Sequence, residues 1–402
     1  MIGHEQIVTS RQRISAEFLK AVQGPATREV SGEDAQAAAL GQHLHAASPQ
    51  RGLHGTAAAI EVLAQTSGTE AQDLTRRLVH YVDEIRAIEQ AFAAPPISQR
   101  DVEASQRNVI KMSEVLYGLA AVPTSMAPRE QLARSIADTL VKHRAADGGW
   151  PYFMADEAKP SDVLPTAYAT RALASHGYDV SLSVNFLLDS LVKASSDQTD
   201  IFVEVLIIYV LCYLPEMYRR DKELKKSFEE TWLRLSALLN QDVEANIEYL
   251  TSRINYVRIP WQLYLLGAAV HLSPYRRFAS ASAQRRLRFI LEGVHVKGGL
   301  LYPHSGRDLS SRTNAILFDV LNKIDGELAI RRLPLKPFVW IEAFKSAIAS
   351  RPFLYTVRIV VFCLIVYVIV RWFLSGSRGI ADLAPELLSS ALLILLTGRR
   401  ES

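Results

Sequence analysis

Two carboxylates in this chain lie where a carboxyl group could do chemistry. Asp162 sits in a polar, proline-punctuated loop just ahead of a helix that opens near Thr166, and Glu204 is the single acid of an almost wholly apolar run, 201–214. Each has a catalytic and a structural reading. An isolated Asp in such a loop can act as a general acid or base, or it can close a turn or cap the helix. A buried Glu either takes a partner that keeps it ionised or stays neutral with a raised pKa, and pairing with an Arg is the plainer alternative to catalysis. Asp162 and Glu204 are the candidate catalytic residues. His54, followed by Gly55 and Thr56, reads as a loop or lumen residue.

Other chemistries find little footing. Cys212 and Cys363 stand far apart in apolar runs, as two small buried side chains would, and suggest neither a disulfide nor a thiolate metal site. Phosphate-loop, dinucleotide and nucleophile-elbow signatures are all missing. The formal charge of +3 is too balanced to argue for nucleic acid. Clustered basics at 219–222 and 285–288 read as solvated helix faces, with anionic lipid headgroups as a possible contact. No cofactor and no metal are expected.

The elements that must position any site are helical. Apolar helices are expected to start near Thr56, Ser113, Thr166, Ile201, Trp261 and Thr313, at intervals of about 40 to 60 residues, which suits a repeated helix pair. Between them lie amphipathic segments at 71–91, 129–144, 182–194, 222–239 and 280–293, which read as outward-facing helices. The run 201–214 is short for a membrane span and reads as a buried inner helix. Residues 1–50 are polar and alanine-rich, with a short helix at 14–22 and without the apolar core of a signal peptide. No strand pattern competes, so the fold class is all-α.

The C-terminal part differs in kind. Residues 353–374 would make a helix of roughly 33 Å, enough to cross a bilayer core. Arg358 and Arg371 flank its uncharged centre, and Tyr355, Trp372 and Phe373 suit the interface. A second apolar run, extended to 381–397, would make this a helical hairpin; a single span is the alternative. In a hairpin, the basic residues of 331–351 and Arg399 and Arg400 share one side, which the positive-inside rule places in the cytoplasm.

The helical repeats carry a motif. Asp147-Gly148-Gly149-Trp150-Pro151-Tyr152 precedes the Thr166 helix, and Gly298-Gly299-Leu300-Leu301-Tyr302, then Arg307-Asp308, precedes the Thr313 helix. A fainter copy is Arg51-Gly52-Leu53-His54-Gly55-Thr56. These turns resemble the repeat of the terpenoid cyclase and protein prenyltransferase superfamily, the α/α toroids, over roughly residues 40 to 325. The family's turn opens on a Gln where this chain has Arg144. The resemblance implies an α/α toroid at 51–330, after the N-terminal extension 1–50. A basic juxtamembrane linker, 331–352, and a membrane region, 353–398, would follow, with the toroid in the cytoplasm.

The family's catalytic sets are not matched. Where prenyltransferases hold zinc with Asp, Cys and His, the aligned positions here carry Asn255, Val257 and Arg312 or Ser311, which cannot rebuild that site. The acid clusters of the cyclases and of class I terpene synthases are absent as well. The resemblance instead places Arg258 and Arg312 near the lumen, with His304 and Arg307 close in sequence and Trp150, Tyr152 and Trp261 as walls. Such a lumen would bind a phosphate, diphosphate or carboxylate through its arginines. Structural pairing of those arginines is the competing reading. Two functions are carried forward. One is a membrane-anchored binding module, taking an anionic or isoprenoid ligand or a protein partner and signalling to its membrane segment. The other is a membrane-associated enzyme acting on an isoprenoid lipid by a non-standard acid.

Overall fold

An inner helix of a helical ring must be apolar on every side, because neighbours surround it, whereas an outer helix needs one apolar stripe. The computed structural model sorts the chain this way. It describes residues 4–23, 40, 44, 53–91, 108–154, 160–197, 201–240, 261–300 and 309–331, all of them within one unit, Met1–Leu333. Among these the structure is helical, with a few isolated β-bridges such as Asn108 to Phe153 and Trp150 to Asp162.

In chain order the helices are α1 (His4–Gln23), α2 (Leu53–Leu63), α3 (Thr69–Ala91), α4 (Val109–Ala120), α5 (Arg129–Lys142) and α6 (Val163–Ser175). There follow α7 (Ser181–Asp197), α8 (Ile201–Cys212), α9 (Asp221–Leu235), α10 (Trp261–Leu272), α11 (Ala281–Lys297) and α12 (Ser311–Arg331). The even-numbered helices form the inner ring: α2 packs on α4, α4 on α6, α6 on α8, α8 on α10, α10 on α12, and α12 returns to α2. The odd-numbered helices surround it, and α1 covers the seam where α12 meets α2. Six helix pairs thus close into a toroid.

Sequence explains the sorting. In α8 ten of the twelve residues are buried, and in α10 eleven of twelve. In α9 the buried residues are Leu224, Phe228, Thr231, Trp232 and Leu235, the single stripe of an outer helix. The six expected inner helices and the five outer ones between them are all present. The sixth outer helix is α1, longer than the 14–22 expected, with Ile7, Ile14, Phe18 and Val22 buried. Arg11 on α1 donates to Asp325 on α12 at 3.0 Å, tying the seam.

The two repeat turns share one construction. Gly148 (φ 89°) and Gly298 (φ 80°) hold the left-handed conformation that glycine adopts without steric cost. The following glycine is pressed against the start of the next inner helix or the residues just before it: a Cβ on Gly149 would lie 2.5 Å from Ser161, and one on Gly299 would lie 2.4 Å from Asn314. In the first turn Thr166 accepts from the Trp150 amide at 3.0 Å. In the second Asn314 accepts from the Leu300 amide at 2.7 Å and donates to the Leu300 carbonyl at 2.9 Å. Each turn is thereby hooked onto the start of the inner helix that follows. We expect Gly149→Ala to cost about 1–3 kcal/mol through overpacking, read as a lowered denaturant midpoint. An unchanged midpoint would show that the loop absorbs the methyl group.

Among the described residues no helix is long and apolar enough to cross a membrane. The expected spans at 353–374 and 381–397, and the linker 331–352 beyond Arg331, lie outside the described residues.

Candidate functional site

The lumen is built from polar residues that repeat along the inner helices. On α2 His54 and Glu61 are seven apart; on α12 Arg312 and Asp319 are seven apart. Seven residues are two turns, so each pair shares a face at a separation of about 10.5 Å. On α4 Glu114 and Tyr117, and on α6 Tyr168 and Arg171, are three apart and again share a face. Residues nearer the helix N-termini meet one another, as do those farther along, which makes two layers.

The first layer is His54, Glu114 and Arg312. Glu114 takes an ion pair from Arg312 on one oxygen and a hydrogen bond from His54 Nδ1 on the other. Burial pushes the Glu114 carboxyl up, but Arg312 and His54 outweigh it and hold the group below the usual carboxylate range. Burial pulls the His54 imidazole below its ordinary value in spite of Glu114. A neutral ring donating from Nδ1 leaves Nε2 as an acceptor, and Nε2 has no hydrogen-bond partner among the described residues.

Asp319 anchors the second layer. Its carboxylate accepts from Tyr117 Oη at 2.9 Å and Tyr209 Oη at 2.8 Å, and it pairs with Arg171 at 3.3 Å. The guanidinium of Arg171 stacks 3.8 Å from the centre of the Tyr117 ring, a second interaction that fixes it. Burial, then the charge of Asp319, keeps both phenols well above the usual tyrosine value, so they remain donors. Gly267 on α10 makes room for this layer, since a Cβ there would lie 2.5 Å from the Tyr209 ring.

Glu61 completes the layer and has no such partners. Its residue is 8% exposed, and its Oε1 is buried without a hydrogen-bond partner among the described residues. Burial first, and then the charge of Asp319, push its carboxyl up to about 8. Glu61 therefore holds its proton at neutral pH, beside a carboxylate that two phenols and a guanidinium fix in place. This layer floors a cavity of about 510 Å³ at the C-terminal ends of the inner helices, with Tyr213, Arg219, Asn322 and Lys323 at its rim. A shallower depression of about 610 Å³ runs along α5, but one helix's own side chains, such as Glu130, Arg134 and Lys142, make it, so it brings no elements together.

The residues expected from sequence are placed as follows. Asp162 caps α6, accepting from the Leu164 amide at 2.9 Å, with burial raising its carboxyl. Glu204 faces the outer wall: it accepts from Thr231 Oγ1 at 2.5 Å and pairs with Arg234, both on α9. Trp150 is buried under its turn and donates from Nε1 to the Leu140 carbonyl at 2.8 Å. Tyr152 packs half-buried against the core, and Trp261 is buried at the start of α10. Arg312 does reach the lumen, where Glu114 meets its charge. Arg258, His304 and Arg307 lie outside the described residues. Among the described residues, no group of three or more His, Cys, Asp or Glu side chains is arranged to hold a metal.

The lumen residues that sequence reasoning passed over are Glu61, Glu114, Tyr117, Arg171, Tyr209 and Asp319. Their common signal is a charged or phenolic residue inside an otherwise apolar inner helix, on the same face as a second polar residue.

No known family model matches the chain, and no curated protein matches it. Solved structures do. The GH76A α-1,6-mannanase from Salegentibacter sp. HEL1_6 is similar at 10% sequence identity and a TM-score of 0.50, covering 80% of this chain and 99% of that one. The fold is an α/α toroid. A type II terpene cyclase, MstE from Scytonema, is similar at 15% identity and a TM-score of 0.47, covering 81% of this chain and 99% of that one. At such identities the likeness to the mannanase speaks to architecture alone, and the chemistry must be argued from the lumen.

Proposed function

We propose that this protein is a membrane-tethered binding module whose toroid takes a small polar ligand in the cavity at the C-terminal ends of its inner helices. The observation that carries the reading is Glu61, a buried carboxyl in the lining of that cavity, one of whose oxygens no described residue satisfies. Buried polar groups are almost always paired, so such a group marks where something else supplies the partner. An isoprenoid suits the site poorly. Its chain would desolvate Arg171, Lys323 and Asp319 without offering them a hydrogen bond. The tether is the apolar segment 353–374, whose length and flanking arginines suit a span, and the ligand state would pass to it through α12.

One observation favours a second reading, an enzyme. A carboxylic acid that keeps its proton near neutrality beside a fixed carboxylate is what general-acid chemistry requires. In that reading Glu61 is the non-standard acid, kept protonated by its burial first and then by the charge of Asp319.

Native mass spectrometry of the full chain, purified in detergent from its own host's membranes, tests the main reading. We expect a retained water-soluble molecule that Glu61→Ala fails to hold, and a protein that stays with the membrane through an alkaline wash. Retention of a polyprenyl lipid instead, or retention unaffected by Glu61→Ala, would overturn the ligand assignment. Release from the membrane by the wash would overturn the tether.

A further inference from the structure

The rim of the same cavity carries a charge that the floor does not need. On the floor, Arg171 and Asp319 neutralise each other. At the rim stand Arg219, on the short turn after α8, and Lys323, one turn beyond Asp319 on α12. Arg219 Nε is buried with no hydrogen-bond partner among the described residues. Lys323 lies over the ring of Tyr213, with its nitrogen 5.4 Å from the centroid. The opposing charge at the rim is Glu216, which is exposed on the same turn. With Glu61 protonated, the cavity has a net positive charge and a carboxyl proton to donate.

We infer that the ligand is a small organic phosphate. Its anion would sit between Arg219 and Lys323 at the rim, and an oxygen of the same molecule would accept from the Glu61 carboxyl at the floor. This rests on the cavity being the binding site, as proposed above. Guanidinium and ammonium groups together are the usual partners of a phosphate oxyanion, and the carboxyl proton adds a hydrogen bond to a second oxygen of the ligand. A volume of about 510 Å³ exceeds what inorganic phosphate needs and leaves room for a body the size of a sugar. Glycerol phosphates and sugar phosphates on one hand, and phosphomonoester lipid headgroups on the other, present this same chemistry.

Binding should also move a proton. The groups that act most strongly on Glu61 are Asp319 and Lys323 from α12, Arg171 from α6 and Glu114 from α4. An added anion joins the two carboxylates in that set and favours the protonated form still more. Above pH 8, where free Glu61 has begun to ionise, binding should therefore take up protons.

The test is isothermal titration calorimetry of the full detergent-solubilised chain with glucose 6-phosphate and, as a neutral control, glucose. Repeating the phosphate titration at pH 8.5 in two buffers of different ionisation heat reads the proton uptake. We expect binding of the phosphate but not of glucose, a loss of at least tenfold in affinity in Arg219→Ala and in Lys323→Ala, and proton uptake that disappears in Glu61→Gln. Both rim residues are at least partly exposed, so their truncation should leave the fold intact, as checked by an unchanged thermal midpoint. Co-sedimentation with vesicles containing 20% phosphatidic acid separates the two sources: a lipid ligand would give capture that both rim variants abolish. No binding of glucose 6-phosphate and no rim-dependent capture would overturn the phosphate assignment. A neutral polar molecule retained through Glu61 in the mass spectrum would do so too, while leaving the binding site itself standing.

Discussion

Arg171→Met should be among the most damaging single substitutions in the inner ring. It removes the cation from a pair whose side chains are 11% and 6% exposed and leaves Asp319 buried with two phenol donors alone. Breaking a buried ion pair on one side costs about 3–5 kcal/mol, because the surviving charge keeps its desolvation penalty and loses its counter-charge. The same logic predicts that Arg171→Met combined with Asp319→Asn recovers much of that loss. An amide at 319 carries no charge to bury; its oxygen accepts from one of the two phenols, and its NH2 donates to the other, whose hydroxyl turns to accept. Chemical denaturation of the wild type, the two single variants and the double variant gives the coupling energy directly. Additive losses would show that the pair does not hold the lumen together.

The lumen helices themselves were legible because burial on all sides leaves a simple trace in sequence. The expected starts at Ile201 and Trp261 are those observed, and the others fall within four residues. The N-terminal helix is longer than its sequence suggests for a physical reason: its buried face includes Ser10 and Ser15 among the apolar residues, which breaks the apolar stripe. The site was harder. A helix that is apolar all round does not announce which side is the lumen, so Glu204 and Asp319, each a lone acid in an apolar run, look alike. Helical phase separates them. Asp319 shares a face with Arg312, two turns away, whereas Glu204 is five residues from Tyr209 and so is rotated by about 140° from it, toward the outer helices. Arg312 lies in the lumen, but Glu114 meets its charge. Arg219, which reads as part of a solvated basic cluster, lines the cavity together with Arg171 and Lys323.

Glu61→Gln should stabilise the protein, and increasingly so as the pH rises from about 4.5 to 8. The folded carboxyl is pushed up to about 8 from a model-peptide value of 4.5, so between those limits the native state holds a proton that the unfolded chain releases. Stability then falls with pH, because its slope follows the protons bound by the unfolded state minus those bound by the native one. Below pH 4.5 both states are protonated and Glu61 costs the fold little; above 8 both are ionised and the penalty stops growing. A slope of about 1.4 kcal/mol per pH unit across that window puts the full penalty on the order of 3–5 kcal/mol. Glutamine keeps the size and the hydrogen-bonding capacity of the protonated acid without titrating, so the other ionisable groups cancel in the comparison. The check is the difference in unfolding free energy between wild type and variant at pH 4.5, 6, 7 and 8. If that difference is flat with pH, Glu61 does not hold its proton in the folded lumen, and neither the acid nor the hydrogen-bond donor argued from it survives. If the difference widens, the protein sustains a destabilising buried acid at the floor of a cavity, a cost that makes sense for a group kept to meet a ligand.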